Sequence, residues 1–489
     1  MQTAVRTAKA WRKAAPDVKL VWGNTVDSLP LLANVYRLKV PRDLIDFTGE
    51  ETVGCMTPPE YSTARAPWMQ KKLAKVMGYG DIPVDCPFEW KSRVVRNLWD
   101  PDRQLPDYYM RDGLIALALG YSMVPLPVGP DVSNGYVDSV WGSGDSHIRY
   151  PLAYPRRTSP AVATMTDIMD RAKLVSLLPT GSLTVYAPQF AVKGGASYAT
   201  AVWCARGETK VKLDLGENAD YELVTLTGHR TKGAKELEIP ATESPRYVLT
   251  AKPLKGVRVS AKRAFPYEKI PAGLRTAVAV PLASAGEAQL VAGLDPRLEV
   301  TEDGHEPRQA GRFALSAVKD EEKGDCIEVK DVTGATPELM MNVGFVKFPE
   351  AKPVAGEYDT IGVWVNGNSS WGRIFFEVTD AEGEVWMSTG PGGYGACEYD
   401  WPCQASISFD GWHLVKFPLR RGSHVQVRSV SMNEFQWTRD GEKGNGRIDF
   451  PVKVTGLGFG NYQWALDFLD MKPTRPTLRF KDITLIGGK

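Results

Sequence analysis

Strand–helix alternation fills the first 178 residues, then gives way near Pro179 to alternation with period two. A long C-terminal stretch of short strands comes next, punctuated by Gly, Asp and Asn turns. Together these predict a multidomain α/β plus all-β protein. The expected parts are a partial (β/α)8 barrel of about four βα units over 1–178 and a small antiparallel β-sandwich over 179–257. A connecting segment over 258–288 then leads to a jelly-roll β-sandwich over 289–489.

Residues 1–15 place apolar or small side chains at Val5, Ala8, Trp11 and Ala15, a helical spacing. Four strand-then-helix units come after it. The strands are expected at 18–24, 43–48, 81–88 and 121–128, and the helices at 28–38, 67–77, 107–119 and 159–174. A helix feeding a strand is ordinary inside a barrel and unusual as its first element. Met1 therefore reads as an internal position of a longer layout, and half a barrel is expected to carry half an active site. After Pro179 the runs SLTVYAPQF, YATAVWCARG, TKVKLDLG, YELVTLTG and PRYVLTA alternate as strands of a small sandwich. From 289 onward, runs such as YDTIGVWVNG, GRIFFEVTD, GWHLVKFPL and VTGLGFGNYQ predict the jelly roll.

Composition narrows the function classes. Lys plus Arg is 59 and Asp plus Glu is 58, so no basic footprint for nucleic acid or an anionic membrane is present. No apolar run is long enough for a bilayer span, and the opening residues lack the pattern of a secretory signal. The six cysteines form no disulfide framework. Cys397 and Cys403 are close in the turn-rich GACEYDWPC and are expected to be bridged or near enough to bridge. Cys55, Cys86, Cys204 and Cys326 are expected free. None of the five histidines, His147 included, sits at ligand spacing from a Cys or another His, so neither metal nor cofactor is expected.

The pieces GDIPVDCPFEW, LGYSMVPLPVG, WGSGD, YPRRTSPAVATMTDIMDRAKLV, PTGSLTVYAPQF and YATAVWCARGE occur in an order that resembles one family. It is the C-terminal half of bacterial retaining glycoside hydrolases of the (β/α)8 clan that uses two glutamates. The resemblance covers about residues 1–255 and lies in order and spacing rather than in one discriminating motif. It implies that Glu89, at the end of IPVDCPF, is the nucleophile. It also implies an acid/base glutamate on a fourth barrel strand that has no counterpart here. A retaining mechanism needs two carboxyls ~5–5.5 Å apart. Glu50 and Glu51 after LIDFTG, and Asp145 in WGSGD, are the substitute acid candidates, with Asp131 and Asp138 in the same loop region. Each also reads as a solvated loop carboxylate or helix cap.

Trp90, Tyr136 and Trp141 are candidate sugar-stacking residues, with ordinary core or interface packing as the alternative. Tyr394, Tyr399 and Trp401 lie in the Gly-rich PGGYGACEYDWPC, which resembles aromatic loops of carbohydrate-binding modules; packing against the barrel fragment is the competing reading. Period-two reading puts Trp364 and Trp412 in the core. The resemblance implies action on, or binding of, an oligo- or polysaccharide, and a location outside the cytoplasm. The alternatives are a non-catalytic binding or structural protein and one chain of a split glycosidase. Unpaired parallel edges imply a homo-oligomer or a second chain completing the barrel.

Overall fold

The computed structural model describes residues 2–23, 28–52, 59–89, 101–120, 157–233, 237–268, 270, 272–283, 288–294, 308–334, 341–388, 405–419, 436–437, 445, 447–461 and 477–487. The chain divides into two compact units. The first comprises Met1–Thr180, Tyr186–Trp203 and Val211–Arg258; the second comprises Gly181–Val185, Cys204–Lys210 and Val259–Lys489.

The first unit opens with helix α1 (Gln2–Ala14), strand β1 (Val21–Gly23), α2 (Ser28–Arg37), β2 (Phe47–Thr52), α3 (Pro59–Val76), β3 (Val84–Glu89), α4 (Pro101–Ala118) and α5 (Thr158–Met169). Strands β1, β2 and β3 lie in that order and pair in parallel. Ala8, Leu32, Val35, Tyr36, Leu44, Ile45, Ala74 and Ile82 bury one side of the layer. Arg12, in the last turn of α1, donates to Asp46 Oδ2 at 2.6 Å, and the backbone N–H of Leu20 donates to the same oxygen at 2.7 Å. One carboxylate thus fastens α1 and the approach to β1 to the start of β2. This layer holds three parallel strands among the described residues. The fourth expected strand, 121–128, lies outside them, and a partial barrel is not shown.

The helix expected over 159–174 ends early. Asp170 leaves helical geometry at ψ 121 and Arg171 takes a φ of 52. A left-handed residue of this kind terminates a helix, and the chain turns directly into β4 (Lys173–Leu177). The next strands are β5 (Val185–Tyr186), β6 (Pro188–Val192), β7 (Ser197–Cys204), β8 (Thr209–Asp214), β9 (Tyr221–Val224), β10 (Arg230–Gly233), β11 (Glu238–Ala241), β12 (Arg246–Thr250) and β13 (Gly256–Val259). One sheet runs β10-β9-β12-β7-β6-β4 with β5 beside β7; a second runs β11-β8-β13. β8 shows strict alternation, with Thr209, Val211 and Leu213 buried and the residues between them exposed. That is the period-two signal legible in TKVKLDLG.

A dry ionic cluster fastens α3 and α4 to this sandwich. Arg111 donates from Nε to Glu60 Oε1 and from Nη2 to Glu60 Oε2, both at 2.6 Å, and both side chains have zero exposure. The indole N–H of Trp203 on β7 donates to the same Oε1 at 2.7 Å. Earlier on α4, Arg103 holds Glu243 at 2.8 Å, and the Ser244 hydroxyl donates to Asp107 at 2.6 Å. Burial pushes the Asp107 carboxyl up to about 6, against the pull of Ser244, Arg157 and Arg103.

The second unit is a two-layered antiparallel sandwich with one parallel pair. Its strands are β14 (Arg275–Val280), β15 (Gln289–Leu290), β16 (Arg308–Ala310), β17 (Phe313–Asp320), β18 (Gly324–Asp331), β19 (Met341–Lys347) and β20 (Thr360–Asn368). They continue as β21 (Ile374–Thr379), β22 (Val385–Met387), β23 (Asp410–Pro418), β24 (Gln436–Trp437), β25 (Lys453–Asn461) and β26 (Thr477–Gly487). The first sheet runs β17-β18-β26-β20-β23 with β14 on β26; the second runs β15-β19-β25-β21-β22-β24 with β16 parallel to β19. β14 therefore brings residues 275–280 of the connecting segment into the first sheet. Ile361, Val363, Val365, Val415, Phe417, Phe480 and Leu485 of that sheet meet Val346, Phe376, Val378, Trp386, Leu457 and Phe459 of the other. Gly372 is required by close approach, since a Cβ there would lie 1.5 Å from the Gly460 carbonyl oxygen.

Trp364 and Trp412 are not in this core. Alternation along β20 gives the inward positions to Val363 and Val365, and along β23 to Val415 and Phe417. The tryptophans take the outward positions and are half-buried. Period two identifies the strands but not which parity faces inward.

The ionic cluster generates two expected outcomes. Glu60→Gln leaves the Arg111 charge dry without its carboxylate, and urea denaturation is expected to show a loss of about 3–5 kcal/mol. A change below about 1 kcal/mol would overturn the role given to this pair. Asp107 has its folded pKa above the unfolded value, so its neutral form is favoured by folding. Stability from this group is full below about pH 4 and declines as pH rises through about 6. Melting curves of Asp107→Asn should gain on the native protein over that interval, by on the order of 2–3 kcal/mol; a gap constant with pH would refute this.

Candidate functional site

The C-terminal edge of the β1-β2-β3 sheet gathers the strand-end candidates. In the β2–β3 register Glu50 is level with Pro87, Glu51 with Phe88 and Thr52 with Glu89. The register slips between Gly49 and Glu50, leaving Cys86 as the extra residue of β3. A bulge of this kind re-aims the residues beyond it, and it also accommodates Pro87, which has no N–H for the ladder. Adjacent strands lie ~4.8 Å apart, so the backbones of Glu51 and Glu89 are about one strand spacing and one residue step from each other. At Glu50, Glu51 and Glu89 the backbone is described and the side chains lie outside the described set. Trp90, Asp131, Tyr136, Asp138, Trp141, Asp145 and His147 fall outside the described residues. So do Tyr394, Cys397, Tyr399, Trp401 and Cys403. Cys204 and Cys326 are buried and form no disulfide among the described residues.

Two polar constellations that spacing could not announce occur inside the second unit. In the first, Arg206 grips Glu268 with two bonds of 2.7 Å, and His413 Nε2 lies 2.7 Å from Glu268 Oε2. Phe265 stacks on the imidazole, with centroids 3.7 Å apart. Burial alone would raise the Glu268 carboxyl, but Arg206 and His413 outweigh it and hold it well below the usual carboxylate range. Burial pulls His413 down to about 4 despite Glu268. At neutral pH a neutral imidazole donates its Nε2–H to the carboxylate. With His413 at 5% exposure and Nε2 committed, this is a clasp rather than a proton shuttle.

In the second, Asp410 accepts from the hydroxyls of Ser182 and Ser369, and Arg263 lies beside it at 3.4 Å. Arg263 also reaches Thr184, Cys204 and the Arg206 carbonyl. Burial disfavours the Asp410 charge, but Arg263 and the two hydroxyls keep its carboxyl below the usual range. Ser369 sits at φ 56 and Trp371 at φ 56, two left-handed non-glycine residues in one short connection. Bonds from Ser369 N to Phe409 O and from Trp371 N to Ile407 O hold that strained backbone in place.

Asp380, Glu384 and Asp449 bring carboxylate oxygens within 4.8 Å of one another, a set able to hold a cation and one that no sequence spacing singles out. Asp380 already accepts the N–H groups of Glu382 and Glu384 and the indole of Trp386. These bonds account for Asp380 as the staple of a tight turn.

No protein-family model matches the sequence, and no curated protein matches it. A family 11 carbohydrate-binding module from Clostridium thermocellum, in complex with a beta-1,3-1,4-mixed-linked tetrasaccharide, aligns over 44% of this chain and 96% of its own. The identity is 12% and the TM-score 0.24. A glucosidase from Croceicoccus marinus aligns over 50% of this chain and 63% of its own, at 9% identity and a TM-score of 0.33. The module TmCBM61, in complex with beta-1,4-galactotriose, aligns over 42% and 92%, at 10% identity and a TM-score of 0.20. At such low TM-scores none of these likenesses carries an argument about this chain.

Proposed function

We propose that this chain is a carbohydrate-active protein of glycoside-hydrolase type acting on an oligo- or polysaccharide. In this reading Glu89 is the nucleophile of a retaining mechanism, and Glu50, Glu51 or Asp145 stands in for the acid. The observation that carries it is the β2–β3 register, which brings Glu50 and Glu51 to positions neighbouring Glu89 at one end of a parallel sheet. Carboxylates on adjacent strand ends are held more rigidly than carboxylates on loops, and glycoside hydrolysis needs two of them at a fixed separation. The chemistry assigned to Glu89 is attack on the anomeric carbon with departure of the aglycone oxygen. Water then hydrolyses the glycosyl ester and restores the carboxylate. The leaving oxygen takes its proton from the second carboxyl. The same reading has the protein act outside the cytoplasm, where a Cys397–Cys403 bridge is sustained. A second chain or second copy completing the sheet belongs to it as well.

General-acid help is typically worth ~10²–10⁴-fold. Where that acid is a substitute, aryl glycosides with good leaving groups are expected to turn over while natural oligosaccharides react slowly. Glu89→Ala should abolish aryl-glycoside hydrolysis, and azide should restore it as a glycosyl azide of inverted configuration. Hydrolysis that survives Glu89→Ala would overturn the assignment. A thiol count on the unfolded, unreduced chain is expected to find four of the six cysteines free; six would remove the bridge.

A non-catalytic sugar-binding reading has one observation of its own, the outward pair Trp364 and Trp412.

A further inference from the structure

The outer face of the β17-β18-β26-β20-β23 sheet carries an aromatic pair that the candidate active site does not use. Asn366 is paired with Trp412, and Trp364 with Leu414, across β20 and β23. The two tryptophans are therefore diagonal neighbours on one face, within reach of each other's long side chains. Gly362, the preceding outward position of β20, adds no side chain to the face. Both indoles are half-buried, although the sandwich core beneath is already closed by valine, isoleucine and phenylalanine.

The turn between β17 and β18 is folded across this face. Asp320 accepts the Trp412 indole N–H at 2.9 Å, and Arg479 holds the other Asp320 oxygen at 2.8 Å. Backbone N–H groups of Glu322 and Lys323 donate to Asp320 as well, so the carboxylate fixes both the turn and the ring. At the tip of the turn, the Lys323 ammonium sits 3.4 Å from the centre of the Trp364 ring. An ammonium on a half-buried indole is a weak contact made by a side chain with great freedom.

We propose that Trp364 and Trp412 form a stacking face for a neutral pyranose chain and that Lys323 closes this face in the unliganded protein. This rests on the carbohydrate reading above. An axial C–H face of a pyranose matches a flat indole, and hydroxyls at the sugar rim find Asn366 and the polar border of the turn. The contact on offer is stacking in place of the Lys323 ammonium, which an anionic chain would hold on the face and a neutral chain displaces. Arg479 is paired with Asp320 and Glu328, and Lys481 donates to the Asp325 carbonyl. Lys323 is thus the ammonium that covers the Trp364 ring, and the arriving sugar moves it aside.

The test is affinity electrophoresis of the full chain in gels containing mixed-linkage β-glucan, xyloglucan or galactan, with alginate as the anionic comparison. At least one neutral glycan is expected to retard the native protein more than alginate does. Trp364→Ala and Trp412→Ala should each weaken retention roughly 3–10-fold. Lys323→Ala should strengthen it about 2–5-fold, because the ring face opens. Where an alanine variant loses its near-UV circular dichroism, Trp364→Phe and Trp412→Phe decide, and each should keep most of the retention. Retention unchanged by the tryptophan variants, weakened by Lys323→Ala, or strongest in alginate overturns this proposal and leaves the carbohydrate reading standing. No retention in any gel overturns both.

Discussion

The Arg111–Glu60 pair is the constraint on which the first unit depends. Taking two full charges to zero exposure costs several kcal/mol per ion, and mutual attraction repays it only when the remaining hydrogen-bonding capacity is used. Here it is used. Two parallel bonds of 2.6 Å join guanidinium to carboxylate, and the Trp203 indole fills a further lone pair. Because Glu60 opens α3, Arg111 lies in the middle of α4 and Trp203 lies on β7, these three side chains are satisfied only when the α/β layer and the small sandwich are in register. Hydrophobic burial is tolerant of small slips; a bidentate ion pair in a dry site is not. The stacking of Tyr186 on Trp203, with planes only 4° apart, adds a second positional demand on the same indole.

The second unit solves a similar problem with different parts. Its two sheets bury a continuous aliphatic and aromatic core, which would fold a sandwich without help. The added constraint comes from short pieces of chain that interrupt the first unit, Gly181–Val185 and Cys204–Lys210. Each supplies a polar anchor: Ser182 and Thr184 to the Asp410 and Arg263 group, Arg206 to Glu268 and His413. Asp410 and His413 both lie in β23 near its start, so one strand receives both anchors. The edge of the C-terminal sandwich is thus fixed by residues far earlier in the sequence. That explains the strained Ser369–Trp371 connection. A left-handed serine persists where its backbone N–H and hydroxyl are both engaged, as they are with Phe409 and Asp410.

Legibility in the sequence tracks the range of the physics involved. Period-two alternation is a local property, and it located β7, β8, β12, β20, β21 and β25 within a few residues. Helix existence is legible for the same reason, but helix bounds are less so: α3 begins at Pro59 and α4 at Pro101, ahead of the expected 67 and 107, and α5 ends at Met169. The left-handed turn at Arg171 that ends it leaves no glycine or proline signature. Parity was not legible. GVWVNG and GWHLVKF each offer apolar residues on both faces, and tryptophan carries the largest apolar surface, which by itself argues for the core. The decision belongs to cross-strand neighbours such as Asp320 and Lys323, which reach the rings from another hairpin. Long-range ionic groups were invisible for the same reason: nothing near Glu60 in sequence names Arg111, and nothing near Glu268 names His413.

The strand-end glutamates lie between these two cases. Their spacing along the chain says nothing, since a long stretch of chain separates the ends of β2 and β3. Their relation becomes interpretable through parallel pairing, because a parallel ladder lines up C-terminal ends by construction. The bulge after Gly49 then shifts the alignment by one residue, so that Thr52 becomes the partner of Glu89. In that backbone register Glu50 lies two pairs before the Thr52–Glu89 pair, and Glu51 lies one pair before it. Without the slip Thr52 would be level with Phe88 instead. The bulge, rather than the identity of either acid, is therefore the structural feature that sets which residue of β3 each acid is level with.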